Sequence, residues 1–296
     1  MSTPRFLALP DGVRAERVQT SRGEFATLSA GAAGPVALLV PGWTGSKEDF
    51  LAVLAPLAAA GCRAVAVDLR GQYETPGTGA AESYTLPELA ADLVVLAGRL
   101  ADPGQPVHLV GHSFGGLVAR AAVLHAPAEI DSLTLLCSGP AGIPADRRQL
   151  LQAMADAIPA LGLATTWQAK RSFERSQGAP EAPEEIERFL ERRFLASDPV
   201  GLRAFTEHLI AAPDEVPALA DTGVPVLVAY GVADDGWPPA EQERMAVRLG
   251  AQLSVIDGAG HSPAVERPEE TVLLLTEFWA SLGRPDSRTG PEARAS

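Results

Sequence analysis

Apolar positions along the chain follow two rhythms, and the switch between them predicts the architecture. Continuous apolar runs at Val36–Val40, 63–68, 107–110 and 130–137 have the length and composition of strands buried on both faces. Helical spacing fills the intervals 47–60, 85–100 and 115–125. In the second interval Leu89, Leu93, Leu96 and Leu100 recur on one face. Thr85-Leu86-Pro87-Glu88 reads as a capping box, with Thr85 as the cap, Glu88 reaching back and Pro87 in the first turn. The third stops before Pro127, whose ring disfavours helical backbone in the preceding residue. Upstream, 13–20 and 25–30 flank Ser21-Arg22-Gly23 and predict a hairpin. Strands alternating with helices imply parallel pairing through right-handed crossovers, hence an α/β sheet flanked by helices.

From 142 to 213 only helical patterns appear. Ile186, Phe189 and Leu190 share a face there, Glu184 is placed to pair with Arg188, and 176–183 is a Pro/Gly/Ala break. Strands return at 224–230 and Gln252–Ile256, and a last helix begins after Pro268, with Glu269 and Glu270 near its positive end. The expected organisation is a core (1–141), a helical cap (142–213) inserted after the sixth strand, the rest of the core (214–283) and a frayed tail (284–296). Such a cap would lie over the carboxyl ends of the strands, where open α/β sheets bind ligands.

A chain of 296 residues, 46% hydrophobic, is long enough for one large domain carrying an insertion. Its net charge of -13, with no basic stripe, argues against nucleic acid and anionic membrane as partners. Cys62 and Cys137 are too few for a disulfide framework, and each borders a predicted buried strand as a small apolar residue. The first ten residues carry Arg5 but no long apolar run, and no run in the chain reaches membrane-spanning length. A soluble cytoplasmic protein acting on a small molecule is expected.

The chemistry concentrates at Gly111-His112-Ser113-Phe114-Gly115-Gly116, which ends a buried strand and opens a helix. At so sharp a turn Ser113 would project over the end of the sheet, with the helix N–H groups aimed at any developing anion. A serine hydroxyl needs a base. Among five histidines, His108 lies in a strand, His125 ends a helix, His208 lies in the helical segment and His112 should leave the turn in another direction. His261, in the Gly-rich loop after the last strand, is the one able to swing over Ser113. Asp234 and Asp235 follow the strand at 224–230 and give the order Ser, Asp, His; one of them is the expected acid, with Asp257 and Glu266 as weaker candidates. The backbone N–H groups of Phe114 and Trp43 are the candidate oxyanion donors. No cluster has metal-ligand spacing, and neither a metal nor a cofactor is expected.

These residues resemble the α/β-hydrolase superfamily, in its cap-bearing branch of serine esterases and perhydrolases, from about Val36 to Leu282. Gly111 to Gly115 looks like the nucleophile elbow, Gly231 to Pro238 like the acid loop, Gly258 to Glu266 like the histidine loop, and Asp68-Leu69-Arg70-Gly71 like a loop after a core strand. The resemblance places the acid at Asp234, the third residue after Gly231. Two features depart from it: Pro41 stands where relatives usually have His, and Gln72-Tyr73-Glu74 replaces a short Gly-containing turn. The resemblance implies a serine hydrolase cleaving an ester, thioester or lactone through an acyl-enzyme. Serine at 113 disfavours the relatives with an aspartate nucleophile. The same fold also hosts perhydrolases, C–C hydrolases, lyases and non-catalytic binding proteins. Trp167, Phe173 and Tyr73 are candidates to touch the substrate, with Met154, Phe189, Phe194 and Phe205 either lining a pocket or packing the cap.

Overall fold

The computed structural model describes residues 2–178 and 181–283, with the backbone alone at 146 and 147. The expected tail at 284–296 lies outside the described residues. Among the described residues eight strands form one sheet: β1 (Arg14–Thr20), β2 (Gly23–Ala30), β3 (Val36–Val40), β4 (Arg63–Val67), β5 (Val107–His112), β6 (Ser132–Leu136), β7 (Val226–Gly231) and β8 (Gln252–Ile256). Their spatial order is β1-β2-β4-β3-β5-β6-β7-β8. The predicted hairpin is the antiparallel pair β1–β2, and β2 also runs antiparallel to β4. Every other neighbouring pair is parallel.

The helices are α1 (Leu51–Ala59), α2 (Leu86–Leu100), α3 (Phe114–His125), α4 (Ala145–Ser176), α5 (Glu184–Ala196), α6 (Pro199–Ala211), α7 (Val216–Asp221), α8 (Pro239–Leu249), α9 (Pro263–Glu266) and α10 (Pro268–Leu282). Residues 47–50, expected as the start of α1, form a separate 3₁₀ turn. The period of two along each strand divides the core. Val36, Leu38, Val40, Val65, Val67 and Val228 face α2, α3 and α8. Ala37, Leu39, Ala64, Ala66, Leu227 and Ala229 face α1 and α10. Both faces are covered, which is why these strands read as continuous apolar runs. Truncating a fully buried side chain such as Leu38 to Ala is worth about 2–5 kcal/mol.

At the start of α2 the Thr85 hydroxyl accepts from the Glu88 N–H, as the cap requires. Glu88 does not complete the expected box: its carboxylate accepts from Arg22 instead. The charged partner across the hairpin turn outcompetes a neutral backbone donor.

Between β6 and β7 the chain is helical. Helices α4 to α6 carry a core of their own, built from Met154, Ile158, Trp167, Ile186, Phe189, Leu190, Phe194 and Leu202. Helix α4 is broken at Gly162, where φ is 76°. Among the described residues no helix is long and apolar enough to cross a membrane.

Candidate active site

Four loops at the carboxyl ends of β3, β5, β7 and β8 meet at one point. Ser113 links β5 to α3 with φ 54° and ψ -121°, a conformation side chains avoid. Its N–H donates to Leu136 O at 2.9 Å and its carbonyl accepts from Gly116 N at 2.9 Å, which hold the turn closed. Glycine at 115 is a packing requirement: a Cβ there would lie 2.4 Å from Val40 O. Phe114 opens α3, so its N–H precedes the first intrahelical bond. The loop carrying Trp43 lies against the same turn, since a methyl group at Gly42 would stand 3.2 Å from Ser113 Cβ.

Ser113 Oγ lies 2.9 Å from His261 Nε2, and His261 Nδ1 lies 2.6 Å from Asp234 Oδ1. Asp234 Oδ1 also accepts from Gly236 N at 2.8 Å, and Oδ2 accepts from Gln242 Nε2 at 2.6 Å. Burial pushes the Asp234 carboxyl up, but the hydrogen bond and charge of His261, with the Gly236 and Gln242 donors, outweigh it and hold the group below the usual range. An ionised Asp234 can only accept, so the His261 proton sits on Nδ1 and leaves Nε2 to receive the Ser113 hydroxyl. Asp235 is exposed one residue further on.

The other histidines go elsewhere. His108 packs in the sheet against Trp279, 4.8 Å away and nearly parallel, and bonds Ser132 Oγ at 2.8 Å. His208 Nε2 donates to Tyr84 O at 2.8 Å, and His125 is exposed. His112 does more than pack: its Nε2 donates to the His261 carbonyl at 2.6 Å, and the ring lines the cavity over Ser113. Burial, then the neighbouring His261, pushes it down to about 3, so it stays neutral.

A cavity of about 410 Å³ opens over Ser113. Gly42, Trp43, His112, Ser113 and His261 form its floor. Leu151, Met154, Ala157, Thr166, Ala169 and Phe173 of α4 wall it, with the Lys170–Glu174 ion pair. Two expected substrate contacts are corrected. Trp167 turns its ring to Phe194 at 5.4 Å inside the helical insert, and Tyr73 packs edge-on against Phe189 at 5.7 Å under the Lys47 ammonium. Neither lines this cavity. Phe189, Phe194 and Phe205 are packing residues. Glu74, from the same departing segment, binds Lys47 Nζ at 2.9 Å.

Cys137 Sγ, an Asp234 oxygen and a His261 nitrogen lie within 4.8 Å of one another. This donor set suits a metal poorly. Burial raises the Cys137 thiol and keeps it protonated, and both ring nitrogens of His261 are engaged by Asp234 and Ser113.

The family model for the alpha/beta hydrolases matches residues 37–273. The chain belongs to the alpha/beta hydrolase family. It is 28% identical over 254 residues to a pimeloyl-[acyl-carrier protein] methyl ester esterase of Aeromonas hydrophila, covering 83% of this chain and 95% of the relative. Among solved structures it resembles a thermophilic esterase from Thermogutta terrifontis, at 25% identity and a TM-score of 0.74 over 92% of this chain and 100% of that one. An enol-lactonase from Burkholderia xenovorans has the same fold, at 19% identity and a TM-score of 0.73 over 90% of this chain and 100% of that one.

Within this alpha/beta hydrolase, the roles of two supporting residues escaped the sequence reading. Gln242, fully buried on α8, fixes the outer oxygen of Asp234. Glu266, read as a weak candidate for the acid, clamps the histidine loop instead: it accepts from Ser262 N at 2.9 Å and from Gly260 N. Its place five residues after His261 was the only available signal.

Proposed function

We propose that the chain is a serine hydrolase that cleaves an ester, thioester or lactone of a small to medium substrate through an acyl-enzyme. One observation carries this reading: the hydrogen-bonded line Ser113–His261–Asp234 opens on a largely apolar cavity. Ser113 Oγ attacks the carbonyl carbon while His261 Nε2 takes its proton. Asp234 keeps His261 in the working tautomer and stabilises the imidazolium. The Trp43 and Phe114 N–H groups receive the oxyanion. When the tetrahedral adduct collapses, the leaving group departs with the proton from His261. Water, activated by the same imidazole, then releases the acid and restores Ser113. The helices at 142–213 act as a cap whose α4 face selects the acyl or leaving group. No resident metal or cofactor takes part, and the partner is a small molecule met in the cytoplasm.

A fluorophosphonate probe tests this directly. Labelling of the intact protein that disappears in Ser113→Ala supports the reading, together with turnover of a p-nitrophenyl ester. Labelling that survives the substitution overturns it. A folded protein that never labels belongs with the non-catalytic binding proteins of this fold.

A further inference from the structure

The segment at 72–74, where the sequence departs from the short glycine turn of its relatives, places one side chain under the floor of the site. Gln72 is 2% exposed. Its Oε1 accepts from Leu69 N at 3.0 Å, which fixes which way round the amide lies. Its Nε2 then donates to Gly42 O at 2.8 Å and to Trp43 O at 3.2 Å. Gly42 O also accepts from Gly45 N at 3.1 Å, so both of its lone pairs are held. These two carbonyls belong to the peptide planes on either side of the Trp43 Cα.

A trans peptide points its C=O and its N–H in opposite directions. The Gly42 carbonyl and the Trp43 N–H are the two ends of one such plane. Holding the carbonyl from below therefore aims the N–H the other way, and Gly42 and Trp43 both border the cavity beside Ser113. Donation to the carbonyl also polarises the peptide and strengthens its N–H as a donor. The preceding residue is Pro41, which has no N–H and cannot act as a neighbouring donor. Gln72 therefore adds a second hold to the Gly42 carbonyl, beside the backbone bond from Gly45, and reaches the Trp43 carbonyl as well.

We propose that Gln72 is a positioning residue of the oxyanion site: its buried amide pins the Gly42–Trp43 peptide by the carbonyl and aims the Trp43 N–H at the Ser113 adduct. This inference rests on the acyl-transfer reading above.

The test compares a p-nitrophenyl ester with its thionoester, whose carbonyl sulfur is a poor hydrogen-bond acceptor. Gln72→Met keeps the length of the side chain and removes the donor. Its ester kcat is expected to fall by about tenfold to a hundredfold, at or below the loss of a direct oxyanion donor. KM should hold within a few-fold, and the ester-to-thionoester rate ratio should shrink by nearly the same factor as kcat. A purely structural role would slow both substrates alike; that outcome, or no change in either, overturns the proposal. Should Gln72→Met fail to fold, Gln72→Leu removes the same donor with a shorter apolar side chain, and the same ratio decides. A wild-type protein that neither turns over the ester nor labels at Ser113 removes the acyl-transfer reading and this inference with it. Wild-type turnover with an unchanged ratio in the variant removes only the role of Gln72.

Discussion

The strand ends beneath the cavity and the helices that wall it are built on opposite terms. Below, the acid and the histidine loop are each held by several independent bonds. Asp234 is bound by His261, Gly236 and Gln242, and the loop of His261 by His112 and Glu266. Above, α4 offers the cavity mostly side chains without hydrogen-bonding groups, and Phe173 and Leu150 remain 45% and 47% exposed. Polar bonds of fixed length and angle specify atomic positions, whereas an apolar wall specifies little more than volume. The floor therefore determines a reaction and the wall only a size range.

The sharpest way to break that contrast is to remove one bond from the floor. Asp234→Asn is expected to lower kcat about 10,000-fold, because the amide favours the wrong His261 tautomer. Asp235→Asn, one residue away and exposed, should stay within a few-fold. Steady-state kinetics on one ester measures both. Comparable losses, or the reverse order, would show that the floor tolerates a misplaced acid.

The joint between the two regions comes next. Arg193 on α5 is 1% exposed and donates to Asp49 Oδ1 at 2.7 Å, to Ser46 Oγ at 3.3 Å and to Ser2 O at 2.9 Å. Arg193→Met strands the Asp49 carboxylate without its cation. The expected loss is about 3–5 kcal/mol in urea unfolding, most of it regained when Asp49→Leu is added. A single variant within 1 kcal/mol of wild type, roughly the size of a surface ion pair, would mean that the insert is anchored by packing alone.

The two regions also differed in how far they could be read from sequence. Runs such as Val36–Val40 reveal a doubly covered strand because both faces demand apolar residues. The Ser113 turn is local, with its glycines forced by contacts that a Cβ would violate. His261 followed from its place after the last strand, whereas place alone left Asp234 and Asp235 both open and the family resemblance selected Asp234. The supports did not follow, because Gln242 and Glu266 are matched to their partners by distance in space rather than by spacing. On α4 the difficulty is different. Thr166, Ala169, Lys170, Phe173 and Glu174 share the cavity face at helical spacing, but their mixed polarity gives no hydrophobic stripe. Trp167 has the size expected of a pocket residue, yet it stands at the edge of that face and packs into the core of the insert.

That mixed face sets the smallest expected effect. Phe173 contributes a ring to the cavity while 45% of the residue faces solvent, so its contact with a substrate chain excludes water only in part. A fully enclosed methylene contact changes kcat/KM by roughly tenfold or more. Phe173→Ala should therefore shift the preference for long over short acyl esters by less than that, a few-fold, and leave turnover of an acetyl ester unchanged. Met154→Ala, on a residue only 8% exposed, should shift the same preference further. Acetyl and longer p-nitrophenyl esters measured side by side give both numbers. If the acetyl rate falls with the others, α4 acts on the orientation of the catalytic groups themselves, and the division between a rigid floor and a permissive wall does not hold.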